Sequence, residues 1–230
     1  MIFKIICTLA IFILITLLVF IVCKCCKSFN SPFIDLKTIR KGYRLGDFIL
    51  ILEKERSPNG VFPDRIQKEF KNSIADLYFQ KTNKSADIDT LIQILKENNL
   101  LKRNNNISMH VHLGDVVCMD RLKAPEIHKP KIPPPIEEIL KIIDKNNDKI
   151  INIYSFYHYG CIEKSKEYID KLKTRKNVII NLNGSVDNDF VEMINSKYHF
   201  SGTGNFSKLI DMTRDKLYNE KDNEIPKIIY

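Results

Sequence analysis

Two histidines and an aspartate stand at the end of an apolar run in the middle of the chain. In residues 107–113 every second position is apolar, which is the pattern of a half-buried β-strand. His110 and His112 share one parity, so their side chains point to the same face of that strand. Gly114 and Asp115 follow at its carboxyl end, where open α/β sheets bind ligands. The spacing predicts a ligand site to which the backbone can come close at the glycine.

Two glycine-containing turns elsewhere in the chain suit a phosphate group. In the first, Arg44 and Gly46 precede an apolar run that begins at Phe48. In the second, glycines and hydroxyl side chains between Ser201 and Ser207 open a further helix. The N–H groups and the dipole at a helix amino end favour bound anions. Both turns are therefore candidate contacts for a diphosphate or a sugar.

Helical and strand patterns alternate along the body of the chain, which predicts an α/β fold. Before the central strand, helical spacing covers residues 64–81 and, after Ser85 as a candidate N-cap, residues 88–95. The patterns that follow are a helix over 137–145, a strand over 149–156, a helix over 161–173 and a strand over 178–182. Strand–helix–strand units of this length are parallel, so the chain from residue 107 onward predicts a Rossmann-like half.

The composition describes a folded domain with a basic surface. The chain has 230 residues, a formal net charge of +8 and an isoelectric point near 9.1. Its lysines are spread among asparagines and isoleucines, without a dense arginine cluster or an aromatic-basic stripe. We therefore expect no nucleic-acid partner. A solvated basic surface is the simpler interpretation. Such a surface can also attract anionic lipid or the diphosphate of a nucleotide sugar.

The first segment of the chain is apolar enough to span a membrane. Residues 5–23 carry no charge, and about 20 apolar residues cross the roughly 30 Å hydrocarbon core of a bilayer. No small-residue cleavage motif follows, so a retained transmembrane helix is favoured over a cleaved signal peptide. The expected organisation is a single-pass anchor over 1–30, a small subdomain over 31–106 and the Rossmann-like half over 107–230.

The sequence leaves the side of the membrane open. Basic residues follow the apolar segment, and the positive-inside rule then places the body in the cytosol. Sequons of the form Asn-x-Ser favour the lumen instead. They begin at Asn83, Asn106, Asn183 and Asn205. The cysteines give no disulfide framework, because only Cys118 and Cys161 lie in the body, and one bridge between those two is left open.

Motifs along the chain resemble those of GDP-fucose-dependent fucosyltransferases. Residues 110–115, His-Val-His-Leu-Gly-Asp, are similar to the HxRxGD motif of that family, with His112 in place of the arginine. Residues 189–197, Asp-Phe-Val-Glu-Met-Ile-Asn-Ser-Lys, match a family helix that precedes a short strand, and residues 201–207 match the following turn that ends in Phe-Ser. The turn around Gly46 resembles an early glycine loop of the family, with aspartate where asparagine is usual.

The resemblance, which covers mainly residues 107–210, implies a GT-B-like fold and the transfer of a sugar from a GDP-sugar. It implies GDP-fucose as the donor, a glycan or glycoprotein as the acceptor, and neither a metal ion nor a cofactor beyond the donor. On this basis the candidate catalytic residues are His112, Asp115 and Arg44. The candidate nucleotide-sugar contacts are His110, Gly114, Gly46, Asp187, Asp189, Thr203, Gly204, Asn205, Phe206 and Ser207.

Histidine at position 112 leaves two functions open. An arginine there would bind phosphate oxygens through two N–H groups and stay charged, whereas histidine is mostly neutral at pH 7. Losing one such donor costs about 3–4 kcal/mol of transition-state stabilisation, unless Arg44 or Lys208 supplies the charge. The alternative function is a catalytically weak or inactive protein of the same fold, acting as a membrane-tethered binding or structural module.

A metal-dependent hydrolase is a third class to weigh. A His-x-His pair at a strand end also resembles the metal ligands of amidohydrolase-type barrels. Such a barrel needs about 250 residues and further ligands downstream of the pair. His128, His158 and His199 are the remaining histidines, and too little chain follows the pair for a barrel. The sequence therefore disfavours this class.

Overall fold

The computed structural model describes residues 43–51, 70–113, 115–119, 132–156 and 161–218. By its internal contacts the chain divides into two units, Met1–Phe33 and Ile34–Tyr230, and all described residues belong to the second. The apolar segment predicted to span the membrane lies outside them. Within the described ranges, no helix has the length and apolarity needed to cross a bilayer. A boundary at residue 106 inside the second unit stays a prediction.

Helices and strands alternate through the described residues, as the sequence predicts. In chain order they are α1 (Leu45–Ile51), α2 (Ile74–Lys81), α3 (Ile88–Glu97), β1 (Asn104–Val111), a 3₁₀ turn (Asp115–Cys118), α4 (Ile136–Lys145), β2 (Ile151–Ser155), α5 (Ile162–Lys173), β3 (Val178–Leu182), α6 (Val186–Asn195), β4 (Ser196–Phe200) and α7 (Gly204–Tyr218). The fold class is therefore α/β, as predicted.

The strands form one four-stranded parallel sheet in the order β3-β2-β1-β4. Strands β1, β2 and β3 are laid down side by side, and the chain then returns to place β4 on the free edge of β1. The direction of winding changes between β1 and β4. In open parallel sheets, ligands bind in the crevice outside the carboxyl ends of the strands at such a switch point. The arrangement is compatible with a Rossmann-like fold.

The two faces of β1 differ in the side chains that they present, which are apolar on one face and polar on the other. Ile107, Met109 and Val111 pack into a core that α4, α5 and β2 complete. His110 points to the opposite face, where its ring reaches Ser207 on α7. The predicted alternation of the strand is confirmed, and it is what directs the histidines away from the core.

Strand β4 is fixed by an arginine that binds the end of the preceding helix. Helix α6 ends at Asn195 and β4 begins with the next residue, so the last carbonyl groups of the helix need partners from elsewhere. The Arg214 guanidinium, buried on α7, donates to the carbonyl oxygens of Met193 and Ile194 at 3.0 and 3.1 Å. A third bond, of 2.5 Å, goes to the carbonyl of Ser196. These bonds tie α7 to the β4 edge of the sheet.

The two predicted helices near the amino end are shorter or capped differently in the described residues. Residues 70–73 are not helical and helix α2 begins at Ile74, where the Ser73 side chain caps it by accepting from the Asp76 N–H, while the predicted helical residues 64–69 lie outside the described residues. Helix α3 is capped by Asp87 rather than by Ser85. The Asp87 carboxylate accepts from the Thr90 N–H at 3.1 Å, and an anion at this end also interacts favourably with the helix dipole.

A disulfide joins two segments at the carboxyl edge of the sheet. Cys118 closes the 3₁₀ turn after β1, and Cys161 precedes α5, which follows β2. Their Cα atoms lie 5.8 Å apart, within the range that a disulfide requires. The bridge that the sequence left open is therefore present, and it holds together the segments that follow β1 and β2.

Replacing Cys118 and Cys161 by serine is expected to lower the free energy of unfolding by about 4 kcal/mol. The two cysteines are separated by 43 positions in the sequence. A cross-link over such a loop lowers the conformational entropy of the unfolded chain and thereby stabilises the folded state. Urea denaturation without reductant measures the difference. With reductant present, the wild type and the double variant are expected to unfold at the same urea concentration. Equal stabilities without reductant would contradict a stabilising bridge.

Candidate functional site

A cleft of about 350 Å³ opens at the switch point between β1 and β4. This volume lies within the range of small-molecule sites, which is about 300–1,000 Å³. The predicted site residues that line it are Arg44, Gly46, His110, His112, Asp189, Thr203, Gly204, Asn205 and Phe206. The strand end, the early glycine turn and the start of α7 therefore meet in one place, although they are far apart in sequence.

His110 is anchored beneath the cleft by the first turn of α7. Its Nδ1 atom lies 2.6 Å from the Oγ of Ser207, and its ring contacts the Phe206 ring edge-on at a centroid distance of 5.1 Å. Desolvation, followed by the nearby His112 ring, lowers the pKa of His110 to about 3. His110 is therefore neutral at physiological pH. It positions the wall of the cleft and does not supply a positive charge.

His112 lies against the first residue of α7. Gly204 has a left-handed φ of +86°, and a Cβ atom built on it would come within 3.1 Å of His112 Nδ1. Gly202 is more tightly placed, since a Cβ atom there would overlap the backbone carbonyl of His110. The two glycines let the turn before α7 lie directly on the end of β1. The amino end of α7 is thereby brought into the cleft beside both histidines.

The early glycine turn forms the opposite wall. A Cβ atom on Gly46 would lie 2.5 Å from the backbone carbon of Asn205 and from the backbone nitrogen of Phe206, so the backbones of α1 and α7 touch there. The Asn205 side chain donates to the Asp47 carboxylate at 2.6 Å. Arg44 lies 3.8 Å from the same carboxylate and keeps 56 % of its side chain exposed. Arg44 is the one arginine among the described residues that line the cleft, and no lysine is among them, so Arg44 is the basic side chain that can contact a bound anion.

The carboxyl end of β2 adds residues that the sequence reasoning missed. Tyr154 pairs in register with His110, and it lines the cleft together with Phe156. Burial, and then the charges of Glu192 and Asp189, raise the pKa of Tyr154, so its hydroxyl stays protonated. The sequence indicates Tyr154 only through its position, because the residue lies near the end of a predicted strand beside the strand that carries the histidines. Aromatic rings at this point offer flat surfaces to a ligand.

Asp187 does not reach the cleft, contrary to its predicted role as a nucleotide contact. Its carboxylate is fully buried, accepting from the Tyr43 hydroxyl at 2.6 Å and from the Ile74 N–H at 2.9 Å. Burial raises the pKa of Asp187 to about 6. The residue joins α6 to the amino end of α2. Asp189, two positions on, lines the cleft, and its carboxylate lies against Gly184.

Ser207 was predicted as a ligand contact and is instead buried as the partner of His110. Gly114 and the side chain of Asp115 lie outside the described residues, so their predicted roles stay predictions. In the part of the chain that the structure describes, no group of three or more histidine, cysteine, aspartate or glutamate side chains is placed to hold a metal ion. The described lining of the cleft thus combines two imidazoles, of which His110 is neutral, with the Arg44 guanidinium and a helix start.

Ser207→Ala is expected to lower the free energy of unfolding by about 1–3 kcal/mol, because it leaves the Nδ1 atom of His110 without its hydrogen bond. Ser185→Ala is the matched control. The Ser185 Oγ is buried without a hydrogen-bond partner, so its removal is expected to cost nothing or to stabilise. Urea denaturation of both variants measures the difference. Equal losses in the two variants would contradict the assigned role of Ser207.

Comparisons with known proteins supply no relative for this site. No family model, no curated protein and no solved structure matches the chain.

Proposed function

We propose that the chain is a membrane-anchored glycosyltransferase that takes a sugar, with fucose as the expected one, from a GDP-sugar. The acceptor is a glycan or a glycoprotein. The observation that carries the proposal is the meeting of the His110–His112 strand end with the start of α7 at the switch point of the sheet. A GT-B-like architecture for the body and a membrane span over residues 5–23 are parts of the same proposal.

The start of α7 is the proposed seat of the diphosphate. The first N–H groups of a helix have no partner within it, and the helix dipole favours an anion there. At Gly204 the space that a side chain would fill is taken by the His112 ring, which therefore lies directly beside this helix start. Arg44 on the opposite wall supplies a guanidinium that can bind phosphate oxygens. The negative charge of a diphosphate held between the start of α7 and Arg44 would be stabilised by the helix dipole on one side and by the guanidinium on the other.

The nucleoside is proposed to lie towards the carboxyl end of β2. Tyr154 and Phe156 line this part of the cleft and can contact a base through their rings. Asp189 lines the same part, and a carboxylate there can accept hydrogen bonds from ribose hydroxyl groups. This placement extends the ligand from the α7 start across β1 to β2, along the carboxyl edge of the sheet.

Sugar transfer leaves negative charge on the departing GDP, and the acceptor hydroxyl must lose a proton. Arg44 and the N–H groups of α7 are the groups proposed to stabilise the departing charge. His112 and Asp115 are the candidates for the proton, because burial lowers the pKa of His110 to about 3, which makes it a weak base, and its Nδ1 is bonded to Ser207. His112 faces the cleft from the end of β1. His110 is proposed as a positioning residue that holds this wall in place.

The pairing of Arg44 with Asp47 favours the alternative function, a transferase-fold protein with little or no turnover that acts as a membrane-tethered binding or structural module. A guanidinium that is half exposed and shared with a carboxylate neutralises less phosphate charge than an unshared one. His110 on the facing wall is neutral and does not replace it. The alternative predicts that binding of GDP or a GDP-sugar is weak or absent and that the sugar is not released.

His112→Arg is expected to raise the affinity for GDP about tenfold, and to start or accelerate hydrolysis and transfer of GDP-fucose. The added charge-assisted hydrogen bond is worth about 1.5–3 kcal/mol, and 1.4 kcal/mol is a factor of ten. Calorimetric titration of GDP and chromatographic detection of released fucose are the measurements. Asn105→Arg, which adds the same charge at the other end of β1, is the control.

The outcomes of this comparison separate the two functions. Turnover by the wild type supports the transferase. Binding by the wild type with turnover only in the arginine variant supports the inactive alternative. If neither protein binds GDP, the transferase is excluded and the structural module is left. If Asn105→Arg raises the affinity as much as His112→Arg, the placement of GDP in this cleft is contradicted.

A further inference from the structure

The disulfide restricts where the body of this protein folds. Two thiols lose two electrons and two protons when Cys118 and Cys161 join, and a disulfide-bearing oxidoreductase accepts them by exchange. Such bonds persist in the lumen of the secretory pathway and outside the cell, whereas cytosolic thiols are kept reduced. A body that carries this bond is therefore exposed to the enzymes that attach glycans to asparagine.

The fold sorts the Asn-x-Ser sequons into those that can carry a glycan and those that cannot. Asn205 cannot, because its side-chain nitrogen donates to Asp47 at 2.6 Å and its neighbour Phe206 touches the Gly46 backbone. A glycan on Asn205 would fill the cleft. Asn183 stands in a left-handed conformation with φ 57°, directly before the cleft residue Gly184. A glycan there would stand at the mouth of the cleft.

The other two asparagines, Asn106 and Asn83, are exposed like Asn183, but they begin sequons that do not line the cleft. Asn106 belongs to the central strand β1. The serine of its sequon, Ser108, lies on the same strand and is buried beside His199. Asn83 lies in the loop between α2 and α3, and the other two residues of its sequon, Lys84 and Ser85, are exposed as well. A large substituent on Asn83 projects from a loop into solvent and disturbs neither the sheet nor the cleft.

We propose that Asn83 carries an N-linked glycan, added in the oxidising compartment in which the Cys118–Cys161 bridge forms. The side-chain Nδ2 of Asn83 forms a bond to the anomeric carbon of a lipid-diphosphate-linked oligosaccharide. The bond from that carbon to the phosphate oxygen breaks, the lipid diphosphate leaves with the electron pair, and one amide proton passes to a base of the transferring enzyme. This assignment is independent of the ligand that the cleft binds.

The test is a mobility assay on the full chain produced in cultured mammalian cells. The wild type is expected to shift on treatment with peptide N-glycosidase. Asn83→Gln is expected to migrate one glycan below the wild type, and Ser85→Ala, which keeps the asparagine but breaks the sequon, is expected to do the same. Ser85→Thr, which keeps the sequon, and Asn106→Gln, the matched exposed asparagine, are expected to migrate like the wild type.

Maleimide labelling of the same protein tests the compartment. Cys118 and Cys161 are expected to react only after reduction. The proposal is overturned if the wild type shows no glycosidase-sensitive shift, or if Asn83→Gln migrates like the wild type. It is also overturned if the shift depends on Asn106 instead, or if both cysteines are labelled without reductant.

Discussion

Gly46→Ala is expected to abolish nucleotide binding and to lower the free energy of unfolding by about 3 kcal/mol. The added methyl group would lie 2.5 Å from backbone atoms of Asn205 and Phe206, which cannot rotate away as a side chain can. Alanine gains at most about 1 kcal/mol over glycine from helix propensity. The steric overlap costs more than this, so the net change is a loss of stability. Helix α1 must then move off α7, and the wall that carries Arg44 moves with it.

Gly184→Ala is the matched control for this prediction. Its added methyl group would also overlap a neighbour, but that neighbour is the Asp189 carboxylate, which can rotate. We expect a loss of stability well below that of Gly46→Ala. Urea denaturation and calorimetric titration with GDP measure the two effects. If Gly46→Ala unfolds at the same urea concentration as Gly184→Ala and binds GDP equally well, the close contact of α1 with α7 is not required.

Asp187→Ala is expected to lower the free energy of unfolding by about 3–5 kcal/mol. It leaves the Tyr43 hydroxyl and the Ile74 N–H buried without their acceptor, and removing one partner of a buried charged group costs this much. Asp187→Asn retains an acceptor oxygen of the same shape, so we expect a much smaller loss. Urea denaturation at pH 7 compares the variants. Equal losses would show that the carboxylate charge, and not the hydrogen bonds, stabilises this contact.

The stability difference between the wild type and Asp187→Asn is expected to depend on pH. The pKa of Asp187 is raised by burial from 3.8 to about 6, so the folded state binds this proton more tightly than the unfolded state. The resulting stability is fully present below pH 4 and is lost as the pH rises through 6. The loss totals about 3 kcal/mol, and the asparagine variant lacks it. A difference that stays constant from pH 4 to pH 7 would contradict a buried, protonatable carboxyl group.

The parts of the fold that were predicted correctly depend on local patterns. The alternation in β1 directs Ile107 and Met109 to one face and His110 to the other, and that property belongs to the strand alone. The parallel units that follow β1 come from alternating apolar runs of strand and helix length. The N-cap of α3 was placed less well, because Ser85 and Asp87 are both residues that cap helices at similar free energy.

The site was harder to predict because the roles of its polar residues depend on distant partners. Asp187 and Asp189 look alike in the sequence, yet Asp187 is buried by Tyr43, which lies 144 positions away. Ser207 resembles a phosphate ligand and serves a histidine 97 positions away. Tyr154 enters the cleft only because β2 lies next to β1. No pattern within one segment carries this information.

Backbone amide NMR of the chain titrated with GDP tests the central claim most directly. A diphosphate held at the start of α7 is expected to shift the amide signals of Thr203–Ser207 most strongly, together with those of Arg44 to Asp47, in a saturable manner. Inorganic diphosphate is expected to shift the α7 signals and to leave those of Tyr154 and Phe156 unchanged. Saturable shifts confined to residues outside the cleft, or none at millimolar GDP, would contradict the account.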